Sequence, residues 1–148
     1  TLFTAIGAAC EFVAMRVSSL LLRKKKVNGY NLIVISMLGF IARFLIYRFA
    51  KSIPLFIVGQ TLHFFTFGTL HSGTMAFIND NIPPQEYTNA ISIYSALVVN
   101  LPQGIGAVLC GVIIDNWGYD TLFSLGLIFP LVSYILLSCF KRQLVETT

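Results

Sequence analysis

Five long apolar stretches joined by short polar connections constrain this chain more than any other feature of its sequence. Each approaches the ~20 residues that an α-helix needs to cross a bilayer. With 56% hydrophobic and 11% charged residues, the chain lacks the polar surface of a soluble domain. The sequence therefore predicts one all-α integral membrane domain over residues 1–148, with neighbouring spans packed antiparallel. The predicted spans cover about residues 2–22, 30–50, 53–78, 89–114 and 121–140.

The basic residues lie beside the spans, which argues against a nucleic-acid partner despite the net charge of +4. One basic group, Arg23, Lys24, Lys25 and Lys26, follows the first span; Lys141 and Arg142 follow the last. By the positive-inside rule both groups are cytoplasmic. We therefore expect a multi-pass plasma-membrane protein whose C-terminus is cytoplasmic and whose 115–120 connection, with Asp115 and Asp120, is outside.

Four ionisable side chains interrupt the apolar stretches: Glu11, Arg43, His63 and His71. A charged residue at the centre of a span costs at least ~2.5–3.5 kcal/mol on insertion scales, so it usually faces a cavity or a partner. These four side chains predict a substrate or proton pathway. The amides of Gln60, Asn100 and Gln103 are candidate solute-facing donors, with polar contact between helices as the alternative.

Each ionisable residue has a functional and a structural interpretation. Glu11 is either a proton-binding carboxylate or a hydrogen-bond partner of a neighbouring helix. Arg43 is either the counter-charge of Glu11 or of an anionic substrate, or a member of a structural ion pair. His63 and His71 either relay protons and bind substrate, or make structural hydrogen bonds between helices.

Other residues predict local structure. Gly68 and Gly73 predict close approach of a second helix, as do Ala107 and Gly111. Pro102 predicts a kink inside the fourth span. Cys10, Cys110 and Cys139 lack metal-ligand spacing and read as buried free thiols. The sequence predicts neither a metal site nor a cofactor, and it shows no motif typical of an enzyme.

Three stretches resemble the C-terminal half of major facilitator superfamily transporters: EFVAMRVSSLLLRKKK from Glu11, QTLHFFTFGTLHSGTMAFINDNIPP from Gln60, and Ala90 to Phe123 with IYSAL and GAVLCGVIIDNWGYDTLF. The chain is most similar to the phenylpropionate-permease-like group, whose relatives include lactose-permease-type symporters. The resemblance implies the last five of twelve spans, with the N-terminal half of the same protein missing from this sequence. The 23–26 basic run would be a cytoplasmic gating loop.

The resemblance also implies a coupling mechanism. In lactose-permease-like symporters an Arg, a His and a carboxylate one turn later couple proton and sugar movement. Arg43 and His63 match the first two, whereas Thr66 stands at the carboxylate position and cannot carry a proton. Glu11, which matches an acidic residue of the phenylpropionate-type pattern, would supply the missing titration.

The sequence thus predicts a proton-coupled secondary active transporter that works by alternating access. Its solute would be a small organic molecule such as an aromatic or other carboxylic acid, a sugar or a nucleoside. Its partners would be the lipid bilayer, that solute, protons and the missing half. The alternatives are a non-transporting small membrane protein that serves an assembly or regulatory role, and a pore.

Overall fold

The computed structural model describes residues 2–139 and residue 141, and this part of the chain is helical without strands. The side chains of residues 2–8, Cys10 and residues 64–65, residue 140 at the predicted end of the fifth span, and Arg142 lie outside the described residues. The helices are α1 Leu2–Arg23, α2 Gly29–Phe49, α3 Ile53–Thr61, α4 Phe67–Asn81, α5 Tyr87–Tyr94 and α6 Leu101–Cys139.

These helices group into five helical segments that follow the predicted spans. Among the described residues two stretches are long and apolar enough to cross a membrane by length and composition: Gly29–Phe49, and Tyr87–Cys139, which contains the fourth and fifth segments. The second stretch is divided at Gly118, whose φ of 77° and ψ of 174° are not helical. The all-helical fold class is confirmed, whereas the five membrane spans remain a prediction.

The start of α2 follows directly from its sequence. Asn28 has extended backbone angles, and its side-chain Oδ1 accepts a hydrogen bond from the Asn31 amide at 2.9 Å. This is the contact that an N-cap residue makes with an otherwise unpaired amide of the first turn. The turn that ends the basic loop therefore also starts the next helix.

The third segment differs from the continuous helix predicted for residues 53–78. A 3₁₀ turn, Leu62–Phe65, separates α3 from α4, and Thr66 has φ −102° and ψ −98°. Both the amide and the hydroxyl of Thr66 donate to the carbonyl of His63, at 3.2 and 3.0 Å. A threonine hydroxyl that competes for a backbone acceptor disfavours regular helix, and His63 lies in the resulting break.

The fourth segment has a π-helical turn directly before Pro102, the residue at which its sequence predicts a kink. Residues Ser95–Asn100 form a π-helical turn, in which the Leu101 amide bonds to the carbonyl of Ala96. A π turn inserts one extra residue into the hydrogen-bond ladder and bends the helix. Because proline has no N–H to give to that ladder, the wider turn precedes it.

The part of α6 after Gly118 runs antiparallel to α2, although the two are not consecutive in sequence. Close to the C-terminus of α2, Arg48 forms an ion pair with Asp120 at 3.3 Å, and Tyr47 contacts the Phe123 ring. At the start of α2, the hydroxyl of Tyr30 donates to the carbonyl of Leu137 at 2.9 Å. The contacts thus follow both helices from end to end.

Helix α2 also packs closely and antiparallel on α4. A Cβ atom added to Gly73 would lie 2.8 Å from the Cβ of Leu32, and one added to Gly29 would lie 2.6 Å from the amide nitrogen of Phe77. Such distances leave no room for a side chain. The close approach predicted at Gly73 is therefore confirmed. It holds the third segment against α2 on the C-terminal side of the break that contains His63.

Two local predictions fail among the described residues. A Cβ on Gly111 would meet no atom within 4 Å, so the predicted contact at Ala107 and Gly111 is not made within this part of the chain. Cys139 is exposed and Cys110 is half-buried, rather than both being buried. Both findings have the same reason, since apolar or small residues on a helix predict burial without specifying whether protein or lipid provides it.

Candidate functional site: the Arg43 cluster

Four predicted site residues, Glu11, Arg43, Gln60 and His63, form one group here named the Arg43 cluster. Arg43 lies in the second half of α2, and its guanidinium extends towards the break between α3 and α4. Nη1 of Arg43 lies 2.7 Å from Nδ1 of His63, and Nη2 donates to Oε1 of Gln60 at 3.2 Å. The cluster therefore joins α2 to the third segment through two side-chain contacts of a single arginine.

A tyrosine on α2 completes the surroundings of Arg43. Nε donates to the hydroxyl of Tyr47 at 3.0 Å, and the guanidinium carbon lies 5.2 Å from the centre of the same ring. All three guanidinium nitrogens thus have a partner. Tyr47 is buried, so it fixes the position of the Arg43 side chain and adds a cation–π contact.

The hydrogen bonds define which nitrogen of His63 carries the proton. Arginine nitrogens only donate, so Nδ1 of His63 accepts from Arg43 and the ring proton lies on Nε2. Thr66 Oγ1 lies 3.1 Å from the same Nδ1 but gives its proton to the His63 carbonyl. In this arrangement His63 is a neutral ring whose Nε2–H points away from Arg43.

Glu11 lies on the other side of His63. Its Oε2 is 4.0 Å from Nε2 of His63, and the two side chains are 28% and 23% exposed, respectively. This distance is longer than a hydrogen bond, so the two groups interact through space and their separation allows small movements to make or break direct contact. Helix α1 packs closely on α4 beside this pair. A Cβ atom added to Gly68 would lie only 2.8 Å from the Cβ of Ala14.

Glu11 and Arg43, whose pairing is one of the interpretations that the sequence leaves open, do not contact each other directly. Within the described chain no carboxylate lies within 4.0 Å of Arg43. Instead, His63 stands between the two charges, with one ring nitrogen facing each of them. The imidazole ring of His63 therefore links the Glu11 carboxylate to the Arg43 guanidinium, although these two charged groups do not touch.

The other predicted site residues lie elsewhere. His71 stacks on Phe67, and its Nδ1 lies 3.2 Å from the hydroxyl of Tyr94, so it connects α4 to α5. Asn100 and Gln103 are exposed near the π turn. The structure thus divides the predicted set into a cluster on α1, α2 and the third segment, and two groups on other surfaces.

Sequence reasoning missed Tyr47 as a partner of Arg43. The signal was present, because residues four apart on a helix are neighbours and tyrosine offers both a hydroxyl and a ring. The sequence analysis considered Thr66 only as the residue that stands at the carboxylate position of the family pattern. The structure shows it as a fully buried residue that bonds to His63 and shapes the break around it.

The comparisons with known proteins identify the family. The model of the MFS_1 like family, which is part of the major facilitator group, matches residues 1–125. No curated protein and no solved structure matches the chain. Most of the chain, including the whole Arg43 cluster, therefore lies within the matched region. The chain belongs to the MFS_1 like family of transporter-related membrane proteins.

Proposed function

We propose that this chain is part of a proton-coupled secondary active transporter, with its five helical segments as five membrane spans. The solute would bind near the middle of the bilayer, between these spans and the N-terminal half of the same protein. Rocking of the two halves would expose the solute alternately to each side. The family match supports transport in general, and the Arg43 cluster supports proton coupling.

The observation that carries the coupling proposal is the relay from Glu11 through His63 to Arg43. When Glu11 takes up a proton, its negative charge disappears from the vicinity of the His63 Nε2–H. The attraction that holds α1 towards His63 then weakens, while the contact of His63 with Arg43 remains. A proton thereby changes the relative stability of two arrangements of the helices, which is what a coupling ion must do.

The remaining candidate residues have proposed roles around this relay. Gln60, His71, Asn100 and Gln103 would face the solute, which would be an aromatic or other carboxylic acid, a sugar or a nucleoside. The basic run from Arg23 to Lys26 would act as a gating loop on the cytoplasmic side. The protein would lie in the plasma membrane with its C-terminus in the cytoplasm.

The test is solute uptake by the complete protein in liposomes that enclose a pH-sensitive dye. The test solutes are 3-phenylpropionate, lactose and uridine, each added with and without an inward proton gradient. Accumulation of one solute with internal acidification is expected for the intact protein. Glu11→Gln, which holds the side chain in a permanently neutral form, is expected to abolish uphill accumulation.

The matched control is Glu86→Gln, because Glu86 is an exposed carboxylate in the connection before α5. It should leave accumulation unchanged. Gradient-driven accumulation by the Glu11→Gln protein would remove Glu11 from the mechanism. If the intact protein moves none of the three solutes and copurifies with another membrane protein, the assembly or regulatory alternative becomes the better interpretation.

A further inference from the structure

A second polar region lies where the basic loop after α1 meets the end of α4. It is a cavity of about 1020 Å³ between α1, α2 and α4. Apolar side chains of α1 and α4 line its walls together with Ser19, His71 and Ser72, and charged or amide side chains gather at its loop end. Those residues are Arg23, Lys25, Lys26, Asn28, Asn31, Asn79 and Asp80.

The charges at this end of the cavity do not balance. Arg23, Lys25 and Lys26 contribute three cations, against the single carboxylate of Asp80. Among the described residues no carboxylate lies within 4.0 Å of any of the three cations. Asp80 instead accepts a hydrogen bond from Nδ2 of Asn79 at 3.5 Å. The cavity therefore offers an excess of donors and positive charge.

The backbone places one of these lysines at a position that normally belongs to glycine. The amide of Lys26 bonds to the carbonyl of Leu21 at 3.1 Å, and that of Lys25 bonds to the carbonyl of Leu22 at 2.9 Å. This pair of bonds is the motif that ends a helix with a left-handed residue. Lys25 is that residue, with φ of 51°. A lysine there costs stability that glycine would not.

We propose that this cavity binds a phosphate-bearing anion. Lysine and arginine are the side chains that proteins use for phosphate oxygens, and the amides of Asn31 and Asn79 supply further donors. Basic pockets between membrane helices suit anionic lipid headgroups, and a soluble phosphate compound presents the same chemistry. Lys25, the residue with the left-handed backbone, is among the side chains that line the cavity. The proposal does not depend on the transport function.

The test measures binding of dioctanoyl-phosphatidylglycerol and of inorganic phosphate to the complete protein in neutral detergent at low salt. Thermal unfolding and native mass spectrometry provide the two readouts. Lys25→Gln and Lys26→Gln are expected to weaken binding by about fivefold each. Lys24→Gln is the matched control, since Lys24 belongs to the same loop but does not line the cavity. It should change binding much less.

Two further variants separate charge from folding. Lys25→Gly removes the charge and the backbone strain together, so the unliganded protein should unfold at a higher temperature while anion binding falls. Asp80→Asn removes the competing carboxylate and should strengthen binding. This pair gives opposite signs that a general loss of folding cannot produce.

The outcomes identify the source of the anion or overturn the site. A response to the lipid alone indicates a headgroup, whereas a response to inorganic phosphate indicates a soluble anion. Equal losses for the Lys24, Lys25 and Lys26 variants would overturn the proposal in favour of diffuse attraction to the loop. An equal response to dioctanoyl-phosphatidylcholine, which has a phosphate but no net charge, would also overturn it, as would no response to either anion.

Discussion

The Arg43 cluster and the 101–117 segment of α6 both place polar side chains within apolar helix, but in very different surroundings. Both contain a glutamine, Gln60 in the first and Gln103 in the second, and both lie near glycines. In the first region, each guanidinium nitrogen of Arg43 has a partner and the nearby Thr66 is fully buried. In the second, Val108 is 68% exposed and Gln103 is exposed.

Glycines show the same contrast. A Cβ on Gly73 would collide with α2, whereas one on Gly104 or Gly106 would meet no atom within 4 Å. A small residue therefore indicates close packing only when a second helix is positioned against it. The comparison teaches that the polar groups of α2 and the third segment serve an internal network. Those of the 101–117 segment remain available to lipid, solute or another part of the protein.

The largest expected effect tests the glycine contrast. Gly73→Val should destabilise the protein by about 3 kcal/mol, because the new side chain overlaps α2. The equivalent change in the exposed segment, Gly104→Val, should change stability by less than about 0.5 kcal/mol. Thermal unfolding of the detergent-solubilised protein checks both. A large loss for Gly104→Val would show that this segment is tightly packed in the complete protein, and would remove the contrast.

Removal of the central arginine should have the next largest effect. Arg43→Leu leaves His63 and Gln60 without their shared donor in a half-buried site, at a cost of about 2 kcal/mol. Arg43→Lys keeps the charge, but a compact ammonium lacks the planar fork with which arginine reaches His63, Gln60 and Tyr47. It should therefore restore only part of the lost stability. The same unfolding measurement separates these variants. Full stability of Arg43→Leu would contradict an internal network.

A smaller effect is expected at the break in the third segment. Thr66→Val preserves the shape of the side chain but removes the hydroxyl that donates to the His63 carbonyl. The loss should be about 1 kcal/mol, the net value of one hydrogen bond. Because His63 lies in this turn, the variant should also slow the uptake proposed above. Unchanged stability and uptake would show that the break forms without the hydroxyl.

The smallest effect is expected at the other arginine of α2. Arg48 pairs with Asp120 at 3.3 Å, and the two side chains are 38% and 75% exposed. Asp120→Asn should therefore cost no more than about 0.5 kcal/mol, less at high salt. If Asp120→Asn destabilised the protein as much as Arg43→Leu, the contacts of the exposed Arg48 would contribute as much stability as those of the half-buried Arg43, and the comparison would fail.

Part of the fold and site follows from the sequence by local rules. Gly73 predicts a close helix contact, and Pro102 predicts a kink near the place where the π turn lies. The ionisable residues Glu11, Arg43 and His63 are recognisable because each is costly in an apolar helix. The break at Thr66 was not predicted, since a threonine within an apolar stretch has no fixed effect on the backbone until its hydroxyl selects an acceptor.

Residue type and period alone determined that the chain is helical and apolar, and which side chains need a partner. These properties depend on the energy of burying polar groups, which each stretch carries independently of its neighbours. The tertiary structure decided which partner each group receives. It placed His63 between Glu11 and Arg43, directed His71 to Tyr94, and left Gln103 exposed. The choice of partner depends on which helices pack together and how closely, including helices that are far apart in sequence. Hydrophobic periodicity does not specify that packing.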